Sequence, residues 1–251
     1  MATTSTTPLS GKRALVTGGS RGIGAEIVRR LAADGAAVAF TYNSSPEPAE
    51  ALAAELDATG ATVVAIQADS ADADAVNAAV DETVSRLGGI DILVNNAGIA
   101  TAGPIEEFPL EEFDRLIAVN VRAVFAAIQR AIPHLDGGGR IITIGSVNAD
   151  RAPMAGLSVY ALTKAAVAGL TRGLVRELGP RGITVNTIQP GPVATDMNPE
   201  EGGFSDQVRP FIAVGRYGQP SDIASAVAYL AAPEASYVTG VTWNIDGGFV
   251  I

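Results

Sequence analysis

Arg13-Ala-Leu-Val-Thr17-Gly-Gly-Ser-Arg-Gly-Ile-Gly24 decides how the rest of this chain is read. Residues 13–17 are an apolar run of strand length, as in a strand buried on both faces. The turn that follows is glycine-rich, with Gly18, Gly22 and Gly24 spaced as G-x-x-x-G-x-G rather than G-x-G-x-x-G. A helical pattern then runs from Gly22 to about Ala33. Glycines let such a turn tighten and let the backbone approach a pyrophosphate, while the helix N-terminus supplies free N–H groups and a positive dipole. An ordinary glycine-rich loop has the same composition. Its place after the first strand of an α/β chain favours dinucleotide binding.

Outward from this stretch, strand-like runs recur at residues 37–42, 62–67, 90–95, 140–144, 184–188 and 241–245. Helical patterns fall between them: after Pro46, over 73–87, over 110–135, over 159–178 and over 221–231. Continuous apolar strands alternating with helices predict an α/β fold, one doubly wound parallel sheet of seven strands covered on both faces. Residues 1–9 are rich in Thr and Ser and read as a flexible segment. Residues 10–251 read as a single domain, since no shift in composition divides them.

The chain has 251 residues, 47% hydrophobic and 18% charged, enough to bury a substantial core. Cysteine is absent, which excludes disulfides and thiolate metal sites and fits a reducing, cytoplasmic setting. No signal-peptide pattern and no apolar run near ~18 residues is seen, so no membrane span is expected. The net charge of −10 argues against nonspecific nucleic-acid binding and against docking to a strongly acidic carrier protein. His134, the single histidine, has no cysteine and no second histidine to share a metal and reads as a helix-end residue; no metal site is expected.

Ser158-Val-Tyr160-Ala-Leu-Thr-Lys164 places a phenol and an ammonium four residues apart, on one face of a helix. A fixed positive charge favours the phenolate, so the phenol's pKa is expected to fall from ~10 toward neutrality. Such a group can protonate a carbonyl oxygen while hydride reaches the carbon. Ser146 ends the apolar run Ile141-Ile-Thr-Ile-Gly-Ser146, where a hydroxyl can orient a carbonyl or merely cap a turn.

With these residues in view, the chain resembles the classical short-chain dehydrogenases/reductases from about Leu9 to Ile251, most closely the 3-oxoacyl-thioester reductase-like branch. The motifs that carry the resemblance are residues 17–24, Asn95-Asn-Ala-Gly98, Asn120, Ser146, Tyr160-x-x-x-Lys164, Pro190-Gly191 and Asp246-Gly-Gly248. Enoyl reductases have a longer Tyr-to-Lys spacing. The resemblance implies a Rossmann sheet of order 3-2-1-4-5-6-7 and a catalytic set of Asn120, Ser146, Tyr160 and Lys164. In it Tyr160 is the general acid in reduction and the base in oxidation. Lys164 lowers its pKa and binds the nicotinamide ribose, Ser146 orients the carbonyl, and Asn120 holds a water leading to solvent. A buried amide satisfying a helix is the other reading of Asn120. Ser146 stands fourteen residues before Tyr160, one more than usual in that branch, which reads as an insertion within 147–157.

The implied cofactor contacts are Gly18, Ser20, Arg21, Gly22, Ile23 and Gly24 in the turn, and Tyr42, Asn43 and Ser44 after the second strand. Asp69 and Ser70 follow the third strand, and Asn96, Ala97 and Gly98 the fourth. Pro190, Gly191, Val193 and Thr195 follow the sixth, and Tyr160 and Lys164 complete the set. Asp69 serves equally well as a helix N-cap. The second strand ends without the Asp or Glu that would hold a ribose 2′-OH, while Arg21, Asn43 and Ser44 can meet a 2′-phosphate. NADP(H) is therefore the expected cofactor. The expected partner is a small carbonyl or alcohol substrate, with a substrate loop at about 192–216. The resemblance also implies a homotetramer, which the Ala-rich helix 159–178 and the C-terminal strand containing Trp243 suit. A 3-oxoacyl-carrier-protein reductase and a catalytically silent dinucleotide-binding regulator are the competing functions.

Overall fold

A computed structural model describes residues 7–251. Seven parallel strands form one sheet in the order β3-β2-β1-β4-β5-β6-β7. They are β1 Arg13–Val16, β2 Ala37–Tyr42, β3 Val63–Gln67, β4 Ile92–Asn95, β5 Arg140–Ile144, β6 Thr184–Pro190 and β7 Thr242–Ile245. Eight α-helices lie among them: α1 Gly22–Ala33, α2 Pro46–Asp57, α3 Ala73–Leu87, α4 Leu110–Ile117, α5 Ala123–Ala131, α6 Ser158–Leu178, α7 Gly203–Val208 and α8 Pro220–Ala231. The expected fold class and strand order both hold.

Side chains alternate between the two faces along each strand. Ala14 and Val16 of β1, Val38 and Phe40 of β2, and Ile92 and Val94 of β4 enter one core cluster, shared with α1, α2 and α8. Leu15, Ala39 and Leu93, the residues between them, enter a second cluster with α3, α5 and α6. Both faces of every central strand are thus buried, which is why the strands read as unbroken apolar runs.

Three features differ from the sequence reading. Residues 1–6 of the expected flexible segment lie outside the described residues, but Leu9 is fully buried in the first cluster and its N–H donates to the Asp34 carbonyl. One apolar side chain anchors a stretch that shows no pattern. The helical pattern over 110–135 is interrupted: a π turn spans Ala118–Arg122, with the Ala123 N–H reaching back to the Ala118 carbonyl. The composite helix Leu110–His134 is also long and apolar enough to cross a membrane, at mean hydropathy 1.3, although no such run was expected. Half of that window is buried inside the fold, on the face that α5 packs against α3.

Candidate active site

The strand order reverses between β1 and β4, and in open α/β sheets the crevice beyond the carboxyl ends of the strands at such a reversal is where ligands bind. Every candidate site residue lies on a segment at that edge or on a helix flanking it. Thr17 builds one wall. Its hydroxyl accepts the N–H groups of Asn96 at 3.0 Å and Ala97 at 3.1 Å. The Asn96 side chain donates back to the carbonyls of Thr17 and Gly18. The Gly18 N–H donates to the Thr41 hydroxyl at 2.9 Å. The glycine turn is therefore tied to both neighbouring strands by side chains that bond backbone, and Thr17 and Thr41 are positioning residues absent from the sequence reading. A polar residue inside a buried strand was the available signal.

Two glycines are required here. Gly18 has φ of +64°, and a Cβ on it would stand 2.9 Å from the Ala97 Cα. A Cβ on Gly24 would run into the Gly18 carbonyl oxygen and the Asn96 amide. Arg21, the N-cap residue of α1, makes no capping bond through its side chain, and the first turn has no acid. The first N–H groups of α1 are thus left for an anion. A Cβ on Gly22 would stand 3.4 Å from the Thr195 methyl, so the segment after β6 leans over this turn.

Tyr42 and Ile23 pack against the first core cluster. Val193 is buried in the same cluster, its segment bridges to Gly218, and its carbonyl accepts the Asn198 side-chain amide at 3.3 Å. Arg21, Asn43 and Ser44 are exposed. Asn43 lies 3.5 Å from an Asp69 oxygen that also accepts the Ala71 N–H at 2.8 Å. Asp69 thus closes a local turn; the N-cap of α3 is Asp72, whose side chain accepts the Asp74 N–H. Gly191 packs against Asp246, whose carboxylate accepts the N–H groups of Gly248 and Val250.

Four candidate catalytic residues converge on the ends of β4 and β5. Lys164 is buried and donates to the Ile144 carbonyl at 3.0 Å. It faces no carboxylate, and burial alone pulls its ammonium down to about 8. Ser146 caps the turn Val147–Ala149 by accepting the Asn148 N–H at 3.2 Å. That contact uses an oxygen lone pair and leaves the hydroxyl proton free to donate. The hydroxyl also faces the Tyr160 phenol closely enough to favour the phenolate.

The expectation that the Tyr160 phenol is pulled toward neutrality does not hold in this structure. Burial raises it above its ordinary value, and the nearby Ser146 hydroxyl offsets this only in part. The Lys164 ammonium points at the Ile144 carbonyl and stands 5.8 Å from the centre of the Tyr160 ring.

Asn120 sits in the π turn and is buried. Its oxygen accepts the Ile99 N–H at 2.9 Å, and its amide donates to the Ile99 carbonyl at 2.9 Å and to the Thr163 hydroxyl at 3.1 Å. Thr163 in turn donates to the Tyr160 carbonyl at 2.8 Å. Asn120 therefore fastens the segment after β4 to the turn of α6 that carries Tyr160 and Lys164. A Cβ on Gly98 would stand 3.4 Å from both the Asn120 oxygen and Lys164 Nζ, so this backbone runs alongside both side chains.

The sequence matches the family profile described as enoyl-(acyl carrier protein) reductase over residues 18–250. It is 50% identical to the cyclic-di-GMP-binding biofilm dispersal mediator protein of Escherichia coli, over 96% of this chain and 98% of that protein. It is 43% identical to the 3-oxoacyl-(acyl-carrier-protein) reductase FabG of Staphylococcus aureus, over 94% of this chain and 97% of that one. A crystal structure of a short chain dehydrogenase from Burkholderia cenocepacia in complex with NADP superposes with a TM-score of 0.96 at 53% identity, covering 97% of this chain and all of that one.

Proposed function

The chain belongs to the classical short-chain dehydrogenase/reductase family, and from that premise we propose that it is an NADPH-dependent carbonyl reductase, reversible as an alcohol dehydrogenase. The observation that carries the proposal is the grouping of Ser146, Tyr160 and a buried Lys164 at the strand ends beside the glycine turn.

The residues present fit a dinucleotide. Gly18 and Gly24 let the turn pack tightly against Ala97 and Asn96, and the start of α1 offers uncapped N–H groups to a pyrophosphate. Gly98 and Lys164 border the place of the nicotinamide ribose. When bound, the cofactor supplies hydride to the carbonyl carbon. The chain's own residues handle the proton. Tyr160, whose phenol is held protonated by burial, delivers a proton from Oη to the developing alkoxide. The free Ser146 proton orients the carbonyl oxygen. The Lys164 charge stabilises the phenolate that remains, and its value of about 8 leaves it charged at neutral pH. Asn120 and Thr163 hold the Tyr160–Lys164 turn in register.

NADPH is preferred over NADH. Arg21 is exposed and takes part in none of the ion pairs among the described residues, so its guanidinium is available to a 2′-phosphate. Asp69, the carboxylate next to Asn43, is turned into its own loop. Arg21→Ala should lower kcat/KM with NADPH by about tenfold and leave NADH within about twofold. An equal loss with both cofactors would remove Arg21 from this role.

Carrier-protein thioesters are poor substrates in this proposal. Arg140 is buried and Arg181, though exposed, donates to the Ile132 and Leu135 carbonyls, which leaves Arg172 and Arg176 as the exposed cations of α6. A homotetramer is proposed too, through Phe125 and Leu162 on α5 and α6, and through Tyr229 and Trp243, which stack edge to face at 5.9 Å beside β7. Light scattering at micromolar concentration tests it, and a mass near 25.5 kDa rejects it.

The relative described as cyclic-di-GMP-binding favours a second reading, a dinucleotide-binding regulator without turnover. A panel of ketones assayed with NADPH and NADH separates the two. Reduction of any ketone that disappears in Tyr160→Phe supports the enzyme. Tight NADPH binding with no turnover across the panel supports the regulator.

A further inference from the structure

Arg140 opens β5 at the edge of the sheet opposite the glycine turn, and it is 5% exposed. Its Nη1 donates to the Gly138 carbonyl at 2.8 Å and the Gly139 carbonyl at 3.2 Å. Its Nη2 makes only a 3.5 Å approach to the Ala232 carbonyl, and Nε has no partner. Three other arginines show what that second edge of a guanidinium does in this protein. Arg13 closes Nε and Nη2 on the two oxygens of Asp91, Arg29 on Glu55 and Arg130 on Asp81, all at 2.6–3.1 Å. Arg140 carries the same edge buried, with Nε sealed from solvent and no acid on it among the described residues. Carbonyls seat the guanidinium plane but bring no charge, and burial weighs against this cation with no carboxylate to offset it among the described residues.

A cavity of about 200 Å³ opens beside it, lined by Lys12, Asp91, Gly138, Arg140, Pro233 and Ser236. Asp91 is the acid on that wall, and both its oxygens are taken by Arg13, including the Arg13 N–H at 2.9 Å. Lys12 and Arg13 act on Asp91, and the exposed Asp136 acts on Arg13. The charged groups lining the cavity are then two cations, Lys12 and Arg140, against Asp91, which Arg13 already pairs, in a chain whose net charge is −10.

We infer that this cavity is an oxyanion site, in which the Arg140 guanidinium, the Lys12 ammonium and the Ser236 hydroxyl hold a small carboxylate or inorganic phosphate. It is separate from the catalytic crevice, because Arg140 and Ser146 stand at opposite ends of one strand, about 20 Å apart at ~3.3 Å per residue.

The test is a thermal-shift titration of the protein with potassium phosphate and with potassium acetate, against potassium chloride of equal ionic strength. NADPH is kept saturating so that phosphate cannot act at the glycine turn. The Arg21→Ala variant serves as a second guard against that site. The expected result is a saturable rise in Tm of a few degrees with at least one oxyanion, retained in Arg21→Ala, weakened severalfold in Lys12→Met and lost in Arg140→Met. If acetate matches phosphate, the site reads a planar carboxylate; if phosphate alone acts, it reads the tetrahedral anion; both support the inference. A rise no larger than chloride's, or one untouched by Lys12→Met, overturns it. Should Arg140→Met fail to fold, Lys12→Met and Ser236→Ala, followed by 31P line broadening of inorganic phosphate, still decide.

Discussion

The two halves of the crevice are built by different means. The half on β1, β2 and β4 is held by backbone: Thr17, Thr41 and Asn96 bond main-chain groups, and two glycines pack where no side chain fits. The half formed after β6 is made of side chains on the short helix α7 and the chain on either side of it. Met197, Phe204, Phe211 and Val214 are 61%, 51%, 68% and 62% exposed, and beneath them lies only the small cluster of Val208, Ile212 and Tyr217 with Phe249. A group that never changes can be held by backbone; a group that differs from one enzyme to the next must be met by side chains that can be exchanged. The halves should therefore respond to mutation in separable ways.

The largest effect is expected where the halves meet. Tyr160→Phe should lower kcat about 10²–10⁴-fold while NADPH affinity stays within about twofold. Stopped-flow turnover alongside fluorescence titration checks this, and a joint loss of both would join the halves. Next is the pH dependence set by Lys164. Its folded value of about 8 lies below the ordinary 10.5, so between those values the folded chain has released a proton that the unfolded chain keeps. Wild-type stability relative to Lys164→Met should rise from pH 8 to 10.5, by about 3 kcal/mol in all. Urea unfolding at half-unit intervals measures it, and a flat difference would mean the ammonium is solvated. Gly24→Ala should then cost about 1–3 kcal/mol through overpacking and weaken NADPH in parallel, read by calorimetry with and without cofactor. Smallest is Phe204→Ser, for which the expectation is an unchanged Tm, an unchanged NADPH affinity and a KM for bulky ketones raised by about fivefold, worth about 1 kcal/mol. If Phe204→Ser weakened NADPH as much as Gly24→Ala does, the contrast between the halves would fail.

The same contrast explains what the amino-acid sequence discloses. The glycine turn, the seven strands and the Tyr160–Lys164 turn are legible because each is a local pattern of spacing or period. Thr17, Thr41 and Thr163 are not, because a threonine in a strand or helix looks alike whether it bonds a distant main-chain group or nothing. Leu9 is one apolar residue in a polar stretch, and its burial is decided by Asp34 and α1. The direction of the Tyr160 shift is set by burial, which the Ser146 hydroxyl offsets only in part, and burial of one phenol is not written in its spacing from Lys164. Arg140 reads as a strand-start cation and is buried by the segments around Gly138 and Ala232.

The π turn at Ala118–Arg122 carries a consequence for how this gene can change length. An α-helix rotates ~100° per residue, so one extra residue in a single turn sets the two halves of a continuous helix out of phase. Upstream, α4 buries Leu116 alone; downstream, α5 buries Ala123, Val124, Ala126, Ala127, Ile128 and Ala131. A one-residue deletion within the turn would realign the phases and swing Asn120 away from Ile99 and Thr163. A deletion in the irregular stretch before α4 would leave that phase intact. The turn can accept many substitutions, but the number of its residues is a fixed quantity that codon-level insertions and deletions cannot alter without losing the buried amide.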